Sequence, residues 1–220
     1  MKIKSSTRDK AAQSTRKTFR HGDLRRVMLE AAIELARSGG PDAVILREVT
    51  RRAGVVPNAA YHHFAGQKEL LQAVRSAALS SLAIAIEQEL AAVAAGGDKA
   101  MYGRLSLRAV GAAYLRFARF ETGLFRTAFS VPASVFEPPD PANSGTSGLN
   151  PFQLLGLALD RMVEGEVLSP ARRPGAEFLA WSAVHGLAQL ILDGPLQGIE
   201  AAAADDFSQR LLEMVERGLA

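Results

Sequence analysis

Residues 46–71 read LREVTRRAGVVPNAAYHHFAGQKELL, and this stretch holds the pattern that decides the fold. Leu46, Val49 and Ala53 fall at positions i, i+3 and i+7, which lie on one face of a helix. Gly54 then stands at the C′ position, where glycine adopts a positive φ without steric strain from a Cβ atom. The pattern predicts a first short helix that ends in a tight glycine turn.

A second helix is predicted from Pro57 to Phe64. Proline suits the first turn of a helix, because its missing N–H needs no partner there. Ala60 and Phe64 are four residues apart and are predicted to face inward. Asn58, Ala59, Tyr61, His62 and His63 then occupy the outer faces. Two short helices with this spacing form a helix-turn-helix, whose second helix enters the major groove of DNA.

Several short sequences in this chain resemble one known family. Residues 24–71 resemble the DNA-binding domain of the tetracycline-repressor (TetR/AcrR-type) transcription regulators. The resemblance rests on an amphipathic first helix, the LREVTRRAGV turn, YHHF at residues 61–64 and KELL at residues 68–71. WSAVHG at residues 181–186 resembles the Trp-His-Gly signature of one regulatory-domain subfamily. Membership implies a homodimeric, ligand-responsive regulator, most often a repressor, that binds a near-palindromic DNA operator.

By this resemblance, contacts to bases and phosphates fall on the second helix, at Asn58, Ala59, Tyr61 and His63. An asparagine amide can bond the edge of adenine in a bidentate way, and an alanine can touch a thymine methyl group. Tyrosine and histidine side chains are better suited to phosphates, which fix register. Neighbouring positive charge comes from Arg51 and Arg52, and the predicted DNA-binding set also includes Arg47, His62 and Lys68.

Four positions depart from the family pattern, and one of them is Thr50, where the family usually has a small alanine close to the turn glycine. Ile45 and Val56 stand where the family commonly has Ser or Thr caps, and losing a cap costs about 1 kcal/mol. Gln67 replaces a lysine at the start of the next helix, so we assign it no role in DNA binding. These departures keep an alternative open, a helical small-molecule-binding or interaction protein with a degenerate head. Repressor and activator also remain alternatives.

Charge is divided unevenly along the chain. Residues 1–75 carry 15 Lys and Arg against 7 Asp and Glu, whereas residues 76–220 carry 11 against 16. A basic first third points to a polyanionic partner for that third alone. The chain has no cysteine, so disulfides and thiolate–metal sites are ruled out. No secretory signal and no uninterrupted membrane-spanning apolar run is present, and we expect a cytoplasmic protein without a membrane partner.

The predicted fold is all-α, with a three-helix head joined by a long helix to a helical ligand-binding and dimerisation body. Residues 1–20 are predicted to be a disordered basic arm, residues 21–68 the DNA-binding domain, and residues 69–220 the body. The long helix follows Val74, Ala78, Leu82, Ile86 and Leu90. The segment 131–149 is rich in Pro, Gly and Ser and is predicted to be a mobile loop. Helices are expected over about 151–164, 174–193 and 203–218.

An effector site in the body rests mainly on the resemblance. Apolar walls with a few polar groups are typical of ligand pockets, although an aromatic stripe at helical spacing more often belongs to a plain core. Apolar residues near the C-terminus could pair across a dimer or close the monomer's own core. The candidate effector-binding residues are Tyr114, Phe117, Phe120, Phe125, Met162, Phe178, Trp181 and His185.

Enzymatic and metal-binding patterns are absent from the sequence. There is no Gly-x-Ser-x-Gly motif and no phosphate-binding glycine loop. His62 and His63 are adjacent and would diverge by about 100° on a helix. We therefore predict no catalytic residues, no metal site and no cofactor.

Overall fold

The structure is a computed structural model that describes residues 21–220 apart from 95, 132–133 and 135–136, and the side chains of residues 21–23, 57 and 59 are likewise outside the description. The basic arm predicted for residues 1–20 lies outside the described residues. Elsewhere the described chain is helical and contains no strand, which confirms the all-α prediction. The helices are α1 (His21–Gly39), α2 (Leu46–Ala53), α3 (Pro57–Ala60), α4 (Gln67–Ala92), α5 (Lys99–Phe120), α6 (Thr122–Ala128), α7 (Pro151–Glu164), α8 (Ala176–Leu192) and α9 (Ala201–Leu219).

Two helix boundaries differ from the sequence-based predictions. Asp23 is a favourable N-cap residue, so the sequence predicts a helix that begins after it, whereas α1 already includes His21. In the aromatic stretch after residue 100, the sequence predicts a break at Gly123, but the helices separate at Glu121, between α5 and α6. The last three helices lie within two residues of their predicted bounds.

The long helix α4 connects the head to the body. Its predicted inward residues are all buried: Val74, Ala78, Leu82, Ile86 and Leu90. The helix packs against α1 in the head and against α5, α6 and α7 in the body. By length and composition α4 could also cross a membrane, a test that core helices of soluble proteins pass as well. Its buried face accounts for that apolar composition.

The second half of the segment 131–149 is hydrogen-bonded to α4. Glu87 of α4 accepts hydrogen bonds from the backbone N–H groups of Thr146 and Ser147, each at 2.9 Å, and from both hydroxyls. Ser80 also donates to the carbonyl oxygen of Ser144 at 2.7 Å. The polar composition of residues 144–149 did not show that α4 supplies these partners, and the mobility of the segment 131–149 stays a prediction. The expectation for residues 132–133 and 135–136 lies outside the described residues.

Candidate functional site

The turn between α2 and α3 has the predicted glycine geometry. Gly54 has φ +69°, in the left-handed region. The N–H of Val55 donates to the carbonyl oxygen of Thr50 at 2.9 Å, and the N–H of Gly54 donates to that of Arg51 at 3.3 Å. This pair of bonds is a Schellman motif, which satisfies the last carbonyl groups of α2. The prediction for Gly54 is confirmed.

Gln67 replaces the missing cap of α2. Ile45 makes no side-chain cap hydrogen bond, but Gln67 Oε1 accepts from the backbone N–H of Leu46 at 2.9 Å. The amide nitrogen of Gln67 donates to the carbonyl oxygen of Val44. A residue at the start of α4 therefore holds the start of α2, because a side-chain amide can donate and accept at once. The departure at Gln67 thus provides a structural contact that Ile45 lacks.

The second helix of the motif is shorter than predicted. The α-helix spans Pro57–Ala60, and Tyr61, His62 and His63 follow in a turn. The N–H of Phe64 still donates to the carbonyl oxygen of Ala60 at 2.9 Å, so the chain keeps a helical path. We call this segment, residues 57–64, the recognition segment.

The recognition segment divides into an inner and an outer side. Ala60 and Phe64 are buried, as predicted, and the guanidinium of Arg25 lies 4.8 Å from the centre of the Phe64 ring. Asn58 and His62 are exposed, Tyr61 is 61% exposed and His63 is half-buried. Ala59 belongs to α3, but its side chain lies outside the described part of the chain. The outer side thus presents polar and aromatic groups beside a rigid core.

Basic side chains lie near this segment on both neighbouring helices. Arg47 and Arg52 of α2 and Lys68 of α4 are exposed. Arg51 is paired with Glu48, with 2.9 Å between Arg51 Nε and Glu48 Oε2. Opposite charge on the same helix reduces what Arg51 adds to the local field. The net positive charge around the recognition segment therefore comes mainly from the other basic residues.

The body contains a large cavity of about 1030 Å³. This volume is at the upper end of the range typical of small-molecule sites. Its walls come from α4, α5, α7, α8, α9 and the segment before α7. Of the candidate residues, it is lined by Tyr114, Phe178, Trp181 and His185.

Tyr114, Trp181 and His185 form a hydrogen-bonded cluster on the cavity wall. Trp181 Nε1 donates to the Tyr114 hydroxyl at 3.2 Å, and that hydroxyl lies 2.7 Å from His185 Nδ1. Burial raises the pKa of Tyr114, although the hydrogen bond from Trp181 opposes the shift. Burial also lowers the pKa of His185. These directions favour a protonated phenol and a neutral imidazole, and which of the two donates across the 2.7 Å contact depends on the tautomer of His185.

The other four candidate effector-binding residues lie away from the cavity lining. Phe117, Phe125 and Met162 are buried in the apolar core. Phe125 packs edge-on against Tyr114, with 5.5 Å between ring centres, and so supports the cluster from behind. Phe120 is 74% exposed at the end of α5. Helical spacing alone could not distinguish these four residues from those that line the cavity, because a cavity wall and a core have the same apolar pattern.

Some cavity residues were missed by the sequence-based reasoning. Arg75 of α4 lines the cavity with Asn143 and with residues from the segment before α7. One signal was available: Arg75 lies four residues from both Leu71 and Leu79, so it interrupts an apolar row on the helix. No local pattern would have placed Asn143, which reaches the cavity only through the segment before α7. Among the described residues, no group of acidic residues and histidines could hold a metal ion.

Head and body meet where α1 packs on α6. A Cβ atom at Gly123 would lie 2.1 Å from the carbonyl oxygen of Ala36 and 2.4 Å from that of Arg37. Arg37 Nε also donates to Glu121 Oε2 at 2.8 Å. The two helices therefore touch backbone to backbone, and only glycine fits at this contact.

Family models match both parts of this architecture. Residues 28–74 match the model described as bacterial regulatory proteins, tetR family. Residues 107–215 match the model described as tetracyclin repressor-like, C-terminal domain. The chain belongs to the TetR family. It is a transcriptional regulator of that family, with a DNA-binding helix-turn-helix domain and a ligand-binding C-terminal domain.

Solved structures of low sequence identity share the fold. A protein of unknown function from Rhodococcus sp. RHA1 is 22% identical, with a TM-score of 0.70 over 95% of this chain and 100% of its own. The TetR-family regulator PfmR from Thermus thermophilus is 22% identical, with a TM-score of 0.55 over 88% and 98%. A TetR-family regulator from Marinobacter aquaeolei VT8 is 18% identical, with a TM-score of 0.54 over 90% and 96%. No curated protein matches the chain.

Proposed function

We propose that this regulator is a cytoplasmic, ligand-responsive repressor that binds a near-palindromic operator as a homodimer, without catalytic activity. The proposal rests on the recognition segment, which has one buried side and one exposed side. Buried Ala60 and Phe64 fix it on the head, while exposed Asn58, Tyr61 and His62 remain available to DNA. The Gln67 cap also removes one reason to regard the head as degenerate.

Within the recognition segment we assign separate roles to bases and phosphates. Asn58 and Ala59 contact base edges, and Tyr61, His62 and His63 contact phosphates and set the register. Arg47 and Lys68 contribute positive charge on either side. Half to two-thirds of protein–DNA hydrogen bonds go to the backbone, which matches a segment with more phosphate-binding than base-reading groups.

The dimer interface is proposed on the outer faces of α8 and α9. Four apolar side chains there remain 37–65% exposed, a concentration that is costly on a monomer surface. They are Leu179, Leu190, Phe207 and Met214. A two-fold axis through this surface would produce a self-complementary four-helix contact. The two heads would then read half-sites about 34 Å apart, or a multiple of that spacing.

The effector site is proposed in the cavity beside the Tyr114–His185–Trp181 cluster, in which Trp181 and His185 come from the WSAVHG sequence of residues 181–186. His185 Nε2 can hydrogen-bond to a ligand, because Nδ1 is occupied by Tyr114. Ligand binding would favour a spacing of the heads that does not fit the operator. Such coupling typically amounts to about 1–3 kcal/mol of differential affinity.

The DNA function is tested by titrating the full chain with DNA from its own upstream region at several salt concentrations. Specific binding that weakens linearly with the logarithm of salt is expected. The double variant Tyr61→Ala/His63→Ala should lose specific binding, whereas the control Phe120→Ala, an exposed aromatic on the body, should keep it. Equal affinity of both variants would support the alternative of a binding protein with a degenerate head.

A further inference from the structure

Arg75 places a positive charge on a mostly apolar cavity wall. It is half-buried on the inward side of α4, and its neighbours along the lining are Leu79 and Ile86. Its Nε atom is buried and has no hydrogen-bond partner. Burial lowers the pKa of Arg75, and the nearby Asp140 opposes that shift. A guanidinium remains charged in proteins, so its unmet donor is a costly feature that a ligand could satisfy.

A second unsatisfied atom lies on the same cavity. Asn143 Oδ1 is buried and has no partner either, and the short 3-10 helix that carries it, Pro141–Asn143, packs against α4. Because the oxygen and nitrogen of an asparagine amide are assigned from their partners, this group can turn to present its NH₂. Arg75 and Asn143 would then offer two kinds of donor on the wall of one cavity.

Acidic residues also line the cavity and could favour the opposite ligand charge. Asp140 and Glu137 are both exposed, in contrast to Arg75. The Asp140 carboxylate already accepts from the N–H of Ala142 at 2.9 Å. Among the described residues of the lining, Arg75 carries the only positive charge. Water screens the two exposed carboxylates more than the half-buried guanidinium, so Arg75 contributes more than they do to the field inside the cavity.

We propose that the effector is an apolar molecule ending in a carboxylate, and that Arg75 binds this carboxylate with Asn143 beside it. The assignment rests on the proposed effector cavity and specifies the chemical class of its ligand. A planar guanidinium matches the two oxygens of a carboxylate. The aromatic side chains Phe129, Phe152 and Trp181 line the same cavity and would cover the apolar part.

The single tryptophan provides a direct measurement of cavity filling. Trp181 is the only tryptophan of the chain and lines the cavity. Its fluorescence can be titrated in the full-length protein with three probes of equal chain length: decanoate, decanol and decylamine. Since the probes differ only in their end group, their relative affinities report the sign of charge that the cavity prefers.

The expected order is decanoate, then decanol, then decylamine, with decanoate about tenfold tighter than decanol. Arg75→Gln should remove that tenfold preference while decanol binding is kept, and Arg75→Lys should restore part of it. Arg116→Gln is the control, because Arg116 is an exposed arginine on α5 that does not line the cavity. Unfolding curves for each variant would show that the comparison is made between folded proteins.

Three results would overturn the assignment. Equal affinities for decanoate and decanol, tighter binding of decylamine, or an unchanged preference in Arg75→Gln would each show that Arg75 does not bind a carboxylate. In those cases the cavity still binds apolar molecules, so the proposed effector site stands. If none of the three probes changes the fluorescence of Trp181, the cavity itself fails as an effector site together with this assignment. DNA binding is measured separately and is unaffected by either outcome.

Discussion

The recognition segment and the cavity are built in opposite ways. The recognition segment is continuous in sequence, and its functional groups point outward from a few buried side chains. The cavity draws its wall from helices as distant as α4 and α9, and several of its polar groups bond to one another. A contiguous site can change its specificity through single residues, whereas a site shared by many helices depends on how those helices pack. The contact between α1 and α6 joins the two.

Substitution at the contact between α1 and α6 should cause the largest loss of stability. Gly123→Ala would place a methyl carbon 2.1 Å and 2.4 Å from two backbone carbonyl oxygens of α1, which is much closer than van der Waals contact allows. We expect a loss of unfolding free energy of about 1–3 kcal/mol, because backbone atoms cannot move aside as side chains can. Urea unfolding measures this loss.

Gly218→Ala is the matched control for this substitution, since Gly218 is also helical but has no atom within 4 Å of its would-be Cβ. That variant should gain up to about 1 kcal/mol from helix propensity. Equal effects of the two substitutions would show that α1 and α6 are not in close contact.

A change at Glu87 should affect the cavity and leave the head intact. Burial alone would raise the pKa of Glu87, but the hydrogen bonds from Ser147 and Thr146 outweigh it and lower the pKa to about 2. A lowered folded-state pKa contributes stability above the unfolded value, which is lost as pH falls through the folded value. In the wild-type protein, the free energy of unfolding should therefore decrease as the pH is lowered from about 4.5 to about 2. Glu87→Gln should lose about 1 kcal/mol at neutral pH and show a flatter acid profile.

Unfolding followed at a series of pH values checks this prediction, with Glu164→Gln, an exposed carboxylate on α7, as the control. An acid profile of Glu87→Gln that matches the original protein would mean that the bonds to the loop do not hold in solution. DNA affinity should be the same in both variants.

Gln67→Ala should have the opposite effect to Glu87→Gln. It should lower the stability of the head and leave the cavity unchanged. Loss of its bonds to Leu46 and Val44 leaves the start of α2 uncapped, and we expect a cost of about 1 kcal/mol. Gln209→Ala, an exposed glutamine on α9, should have little effect. Hydrogen exchange of the α2 amides would distinguish the two. Unchanged exchange in α2 would mean that solvent replaces the Gln67 cap without cost.

The smallest expected effect is that of Arg47→Ala, which should leave stability unchanged. If Arg47 neutralises one phosphate, the slope of the logarithm of affinity against the logarithm of salt should fall by about 0.9. Arg116→Ala is the control, because Arg116 is an exposed arginine on α5 of the body, outside the proposed dimer faces of α8 and α9. A slope that changes equally in both variants would remove Arg47 from the DNA interface.

The difference between the two regions also explains what could be read from the sequence. Gly54, Ala60 and Phe64 were placed correctly, because a turn and a short helix are determined by neighbouring residues. Phe120 and Met162 were grouped with cavity residues, because their spacing is helical and only tertiary packing separates an outward face, a core and a cavity wall. The role of Gln67 required a contact 21 residues away, which no local pattern describes.

The helix α4 carries Gln67 at its first residue and Arg75 eight positions later. At about 1.5 Å of rise per residue, these side chains leave the helix axis only about 12 Å apart. The Gln67 amide that caps α2 and the Arg75 guanidinium that lines the cavity therefore belong to one continuous helix. A rigid shift of this helix would move both side chains together, so the helix itself could couple the cavity to the DNA-binding motif.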